Sequence, residues 1–148
     1  MNYLLDTNIL VYLLQKNKYA EEVRTQYAPL SNSNRSVISV VSLGEIESLA
    51  IQNKWGNQRL LGLNELLNKF IIADVNVQTI IVRYAEIDAY SQAKHPKHKS
   101  EFTSRNMGKN DLWIASTASV LKLKLLTTDQ DFNHLNKLFV DLELVKFN

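Results

Sequence analysis

The feature that most constrains the fold is an alternation of short apolar segments with longer segments of helical periodicity. Between the short segments, apolar residues recur at helical spacing, as Leu60, Leu63 and Leu67 do. Alternating strands and helices predict an α/β fold with three layers, in which helices cover both faces of a central, mostly parallel sheet of about five strands. The predicted strands are Tyr3 to Leu5, Ser36 to Ile38, Phe70 to Ala73, Lys124 to Thr127 and Glu143 to Val145.

Length and composition limit the class of protein. The 148 residues contain no internal repeat or long linker, so we predict a single domain over residues 1–148. There is no cysteine, which excludes disulfides and a thiolate zinc site. The apolar runs are too short for a membrane span and Met1 to Leu5 carry no basic leader, which predicts a cytoplasmic protein.

Two helix starts can be predicted from residues that favour helix caps. Ser39 should cap a helix over residues 40–53, directly after the second strand. Asn110 is expected to be the N-cap of a helix over residues 111–122. In parallel α/β sheets, functional side chains gather where the strands end, so these strand-to-helix junctions are where a site is expected.

Four acidic residues occupy such junctions. Asp6 follows the first predicted strand and Asp129 follows the fourth. Glu45 lies early in the helix that follows the second strand. Asp111 is the first residue of the predicted helix that precedes the fourth strand. Because these strand and helix ends share one side of the sheet, we expect the four side chains to converge in space.

Convergence of these carboxylates would require compensation of their charge. Two carboxylates about 5 Å apart repel by roughly 3 kcal/mol at an effective dielectric near 20. Some must then bind protons, or a cation must lie between them. Oxygen ligands without cysteine or a nearby histidine favour Mg²⁺ or Mn²⁺ over Zn²⁺. The sequence therefore predicts a magnesium or manganese site that could hydrolyse phosphodiesters.

Two of the four acids also have a purely structural explanation. Asp111 could interact with its helix dipole, and Asp129 could be a turn residue. Glu45 resists such an explanation, because it lies among apolar residues where an unpaired charge would be costly. Taken together, the four acids favour a functional site over four independent structural roles.

A basic segment follows the predicted third long helix. Pro96 should end the helix that begins near Thr79, leaving residues 97–109 as a loop. The net charge is only +2, which does not by itself indicate a nucleic-acid-binding protein. Positive charge near the acids would suit a polyanionic substrate, whereas a solvated surface loop explains the composition equally well. The basic residues predicted to contact such a substrate are Lys97, Lys99, Arg105 and Lys109.

The chain resembles the PIN-domain family, and most of all the VapC-type toxins of bacterial toxin–antitoxin pairs. The resemblance extends over nearly the whole chain and rests on four short motifs in order. They are Leu5-Asp6-Thr7-Asn8, Ser42-x-Gly44-Glu45, Asn110-Asp111-x-x-Ile114-Ala115 and Thr127-Thr128-Asp129-x-Asp131-Phe132.

The resemblance implies a Mg²⁺- or Mn²⁺-dependent endoribonuclease with an α/β/α fold. It also implies a homodimer and a small antitoxin that covers the acidic cleft. Asn8 and Thr127 would support the acids by hydrogen bonding, and Asp131 is an alternative to Asp129 as the fourth acid. The acidic quartet that would bind metal and catalyse cleavage is Asp6, Glu45, Asp111 and Asp129.

Other activities are compatible with parts of the sequence. A metal-free ribonuclease would leave a cyclic phosphate, but His95, His98 and His134 do not follow predicted strands, and His95 and His98 flank Pro96 in a loop where they should be solvated. A phosphatase that passes through an aspartyl-phosphate needs a second carboxylate where this chain has Asn8. An RNA-processing nuclease without an antitoxin and a non-catalytic RNA-binding module remain alternatives.

Overall fold

A computed structural model describes residues 1–148 and contains one five-stranded sheet with the strand order β3-β2-β1-β4-β5. All four neighbouring pairs are parallel, as the alternation of strands and helices predicted. The strands are β1 (Asn2–Leu5), β2 (Arg35–Ser39), β3 (Ile71–Ala73), β4 (Lys124–Thr127) and β5 (Asp141–Leu144). The helices are α1 (Thr7–Leu13), α2 (Lys18–Glu22), α3 (Val40–Gln52), α4 (Asn57–Leu67), α5 (Gln78–Ser91) and α6 (Lys109–Leu121).

The sheet is buried on both faces, which makes the predicted α/β/α arrangement the observed one. Successive residues of a strand point to opposite faces, so Leu4 and Leu5 of β1 enter two different cores. Leu4 packs with residues of α5 and α6, such as Ile87 and Ile114. Leu5 packs with residues of α1, α3 and α4, among them Ile46. Burial on both faces explains why the central strands are continuous apolar runs.

The predicted cap of α3 is confirmed, and the predicted cap of α6 is wrong. The Ser39 hydroxyl accepts a hydrogen bond from the Val41 amide at 3.1 Å, and α3 begins at the next residue. Helix α6 begins earlier than expected, because Gly108 is its N-cap and its carbonyl accepts the Leu112 amide at 3.0 Å. Asn110 therefore lies within the first turn and caps nothing.

Two other boundaries differ from prediction. Helix α5 ends at Ser91, before Pro96, because Ala93 adopts a left-handed conformation with φ 61° and turns the chain away. The Lys94 amide then donates to the Ala89 carbonyl at 2.8 Å and closes the helix end. The connecting loop accordingly covers residues 92–108. Strand β5 begins two residues earlier and ends one residue earlier than the predicted segment. None of the helices combines the length and apolar character that a membrane crossing requires.

Candidate active site

The four predicted acids line one pocket at the carboxyl edge of the sheet. Its volume is about 440 Å³, and it lies between the ends of β1 and β4 and the helices α1, α3 and α6. Strand order explains the convergence, because β1 and β4 are neighbours at the centre of the sheet. The lining residues that the site uses are Asp6, Thr7, Asn8, Glu45, Asp111 and Asp129.

Asp6 is the most buried of the four acids, with 5% of its surface exposed. Its backbone amide continues the ladder with β4 by donating to the Leu126 carbonyl at 3.0 Å. Its Oδ1 caps α1 by accepting the Thr7 amide at 2.7 Å, and its Oδ2 accepts the Thr127 hydroxyl at 2.7 Å. Burial raises the pKa of Asp6, the charges of Glu45 and Asp129 raise it further, and the two hydrogen bonds oppose the rise.

Asn8 and Thr127 join the ends of the two central strands around Asp6. The Asn8 amide group donates to Asp6 Oδ2 at 3.3 Å, and the Asn8 Oδ1 accepts the Thr128 amide at 3.4 Å. The Thr127 hydroxyl, fully buried, accepts the Asp129 amide at 3.0 Å while donating to Asp6. Both side chains thus lie where a supporting role would place them.

Asp111 carries the clearest sign of unbalanced negative charge. Burial raises its pKa to about 7, and the charges of Asp6, Asp129 and Glu45 raise it as well, with a smaller effect from Asp131. None of the four pocket acids forms an ion pair with a lysine or arginine. The pocket therefore favours either a bound proton or an added cation.

Asp129 and Asp131 occupy different positions around Asp111. Asp129 is half-buried in the pocket, and its Oδ1 accepts the Asp131 amide at 2.8 Å at the start of a short 3₁₀ helix, Gln130–Leu135. Asp131 is exposed and lines an adjoining cavity of about 290 Å³, together with Arg105 and Asp111. The geometry favours Asp129 as the fourth member of the pocket, and its role stays a prediction.

Glu45 lies on the first turns of α3 and is half-buried. Its surroundings are less apolar than its neighbours in sequence suggested, because its Oε1 accepts the Thr7 hydroxyl at 2.7 Å. The same hydroxyl lies 3.0 Å from Ser42 Oγ. Sequence reasoning did not assign Thr7 or Ser42 to the site. Their positions directly after Asp6 and one helical turn before Glu45 are the signal that could have identified them.

The donor set fits a hard divalent cation. No group of three or more Asp, Glu or His side chains already forms a compact ligand set for one ion. The donors facing the pocket are carboxylate, amide and hydroxyl oxygens, which Mg²⁺ and Mn²⁺ prefer. A cation would also compensate the negative charges that, together with burial as the larger cause, raise the pKa of Asp111 to about 7.

The basic loop brings one cation close to the acids. The loop residues Lys97 and Lys99 are exposed, as is Lys109, which is the first residue of α6 and not part of the loop as predicted. None of the three lines the pocket or the adjoining cavity. Arg105 does line the adjoining cavity, and its backbone amide is anchored to the Ser91 carbonyl at 2.7 Å. Arg105 is therefore the loop residue best placed to contact a molecule bound next to Asp111.

The histidines lie away from the acidic pocket. His134 Nε2 is 2.8 Å from Ser91 Oγ, in the core between α5 and the loop. His95 and His98 pack against each other and against Phe139, and only 9% of the His95 side chain is exposed. The expectation that His95 and His98 are solvated was wrong, because the early end of α5 folds the loop back onto the protein.

A model of the PIN-domain family matches residues 3–138, and the chain belongs to that family. Similar solved structures include VapBC2 from Rickettsia felis bound to a promoter DNA fragment, with a TM-score of 0.76 and 24% identity over 99% of this chain and 100% of that chain. VapBC-1 from nontypeable Haemophilus influenzae has a TM-score of 0.75 and 22% identity over 97% and 98% of the two chains. DNA-bound VapBC from Salmonella typhimurium has a TM-score of 0.69 and 16% identity over 97% of both chains. None of the curated protein sequences compared with the chain matches it significantly.

Proposed function

We propose that this PIN domain, a single domain over residues 1–148, is a Mg²⁺- or Mn²⁺-dependent endoribonuclease that acts in the cytoplasm as the toxin of a toxin–antitoxin pair. The observation that carries the proposal is one pocket in which four acids have no basic partner and burial and charge raise the pKa of Asp111 to about 7. The motif resemblance and the family membership support the choice of reaction.

The reaction would be hydrolysis of an RNA phosphodiester bond. A bound Mg²⁺ or Mn²⁺ ion would polarise the scissile phosphate and lower the pKa of the attacking water. Asp6 and Asp111 would hold the ion, and Asp129 would complete its surroundings. Glu45 would orient the water for in-line attack, and Asn8 and Thr127 would keep Asp6 Oδ2 in place. The products would carry a 5′-phosphate and a 3′-hydroxyl.

The direct test is cleavage of RNA by the purified chain in Mn²⁺, followed by analysis of the new ends. We expect a 5′-phosphate, loss of cleavage after chelation, and inactivity of Asp111→Asn with an unchanged circular dichroism spectrum. A 2′,3′-cyclic phosphate, or full activity after thorough chelation, would refute the proposed chemistry. Binding of RNA without cleavage would indicate a non-catalytic binding module.

We further propose that Arg105 contacts an RNA phosphate next to the one that is cleaved. Arg105 lines the cavity that it shares with Asp111, and it forms no ion pair with a carboxylate. Lys99 carries the same charge on the same loop but lines neither this cavity nor the pocket. Long-range attraction depends on both cations, whereas a direct contact depends on Arg105 alone.

Matched neutral variants separate these two effects. Arg105→Gln should raise the KM for RNA by about tenfold, the value of one lost charge-assisted hydrogen bond. Lys99→Gln should change KM by less than about twofold at physiological salt, where exposed charges are screened. Equal effects of the two variants in a steady-state cleavage assay would show that Arg105 makes no specific contact.

The toxin role requires partners, for which the solved VapBC complexes of similar fold provide the support. We propose a homodimer and a small antitoxin that blocks the acidic pocket. Co-expression with the product of a short neighbouring reading frame should yield a stable complex with no RNA cleavage, and light scattering of the chain alone should give a dimer mass. An active chain with no such neighbour or inhibitor would instead indicate an RNA-processing nuclease.

A further inference from the structure

The hydroxyl group of Thr7 lies between two partners from α3. Its Oγ1 is 2.7 Å from Glu45 Oε1 and 3.0 Å from Ser42 Oγ. Ser42 is fully buried, and only 8% of Thr7 is exposed. Neither residue was among the side chains to which the sequence assigned a role in the site.

The Thr7 hydroxyl is the donor toward both neighbours. A hydroxyl group has one proton to donate, so the two acceptors share it. The Glu45 oxygen is the closer acceptor, and a carboxylate accepts more strongly than a hydroxyl, so the bond from Thr7 to Glu45 is the principal one.

We propose that Thr7 is a positioning residue that orients the Glu45 carboxylate in the acidic pocket. Glu45 accepts no second hydrogen bond from the protein, so the Thr7 hydroxyl is what holds this flexible side chain. Asp6 and Asp111 share the pocket and repel Glu45, which would otherwise swing toward solvent. With Oε1 held by Thr7, Oε2 is left to face a water molecule or ion.

Thr7 also connects Glu45 to Asp6. Its backbone amide donates to Asp6 Oδ1 at 2.7 Å, while its side chain donates to Glu45. One residue at the start of α1 thus sets the positions of two of the acids relative to each other. Thr7 therefore contacts both acids, rather than only separating Asp6 from Asn8 in the sequence.

The role of Glu45 orientation in cleavage rests on the proposed function and can be tested by removing the Thr7 hydroxyl. Thr7→Val should lower kcat by roughly 10- to 100-fold, the range for a lost hydrogen bond to a charged group, with little change in KM. Thr7→Ser keeps the hydroxyl and should restore most of the activity. Thr117→Val is the matched control, because Thr117 is also buried but donates to the Trp113 carbonyl of its own helix at 2.8 Å.

A double-mutant cycle distinguishes positioning from a general effect on the fold. If Thr7 acts through Glu45, Thr7→Val should cause little further loss of kcat in a Glu45→Gln background. Equal losses of kcat in both backgrounds, or failure of Thr7→Ser to rescue, would overturn the proposal. Ser42→Ala should have a smaller effect than Thr7→Val, because Thr7 can still donate to Glu45.

A spectroscopic measurement tests the hydrogen bond from Thr7 to Glu45 without relying on nuclease activity. In the metal-free protein, the ¹³C carboxyl resonance of Glu45 should shift in Thr7→Val and return in Thr7→Ser. The shift together with inactive wild-type protein would support this hydrogen bond but refute the proposed function. An unchanged resonance would overturn the positioning role of Thr7 whether or not RNA is cleaved.

Discussion

Asp6 and Asp74 share a local structure but differ in their surroundings. Each follows a parallel strand, and the Oδ1 of each accepts the next residue's backbone amide at 2.7 Å. Asp6 follows β1 at the centre of the sheet and is 5% exposed, whereas Asp74 follows edge strand β3 and is exposed. Asp6 lies in a pocket with three other acids, and burial raises its pKa. Whether an acid that follows a strand lies near other acids therefore depends on the position of its strand in the sheet.

The largest expected difference is between the amide variants of these two acids. Asp6→Asn should lower RNA cleavage by about 10³-fold, because several kcal/mol of metal-ion stabilisation would be lost. Asp74→Asn should stay within about twofold of wild type. Circular dichroism should show both variants folded, because asparagine also caps helices and turns. Similar cleavage rates for the two variants would remove Asp6 from the active site.

A second comparison concerns the two acids that follow β4. Asp129→Asn should lower cleavage by about 10- to 100-fold, the effect expected for a residue that supports a metal site. Asp131→Asn should lower the cleavage rate only a few-fold, because Asp131 is exposed and affects Asp111 through charge alone. Steady-state rates at saturating Mn²⁺ provide the measurement. The reverse order would make Asp131 the fourth acid.

The raised pKa values predict how stability depends on pH in the metal-free protein. The pKa of Asp111 rises from 3.8 to about 7, so the folded state binds more protons than the unfolded chain between these values. The free energy of unfolding should therefore fall as pH rises from about 4 to 7. Mn²⁺ should raise the melting temperature more at pH 8 than at pH 5, because at pH 5 protons compete with the ion for the carboxylate of Asp111.

Asp111→Asn isolates this contribution from those of other titrating groups. At pH 8 without metal, the variant should melt about 3 °C higher than wild type, after allowance for solvent screening of a half-exposed group. At pH 4 the two melting temperatures should agree, because Asp111 is then protonated in the folded wild type. Parallel melting curves of Asp111→Asn and wild type across this pH range would contradict the charge imbalance.

Prediction from sequence succeeded where the information is local. Strand β4 matches the predicted Lys124 to Thr127, and Ser39 caps α3 as expected, because apolar runs and caps depend on nearby residues. The prediction for Asn110 failed because α6 begins two residues earlier, after Gly108, although glycine is a weaker cap than asparagine. Prediction from sequence also missed the early end of α5, because Pro96 suggested a later boundary than the left-handed turn at Ala93 allows.

Apolar periodicity and capping residues along the chain indicate which segments become strands and helices, and which acids stand at their ends. Which side chains meet is visible only in the folded protein: Thr7 with Glu45, Asp6 with Thr127, and Arg105 with the cavity beside Asp111. The difference lies in the range of the interactions involved. Hydrophobic periodicity and capping act within a few residues, whereas Asp6 and Thr127 become partners only because β1 and β4 are adjacent in the sheet.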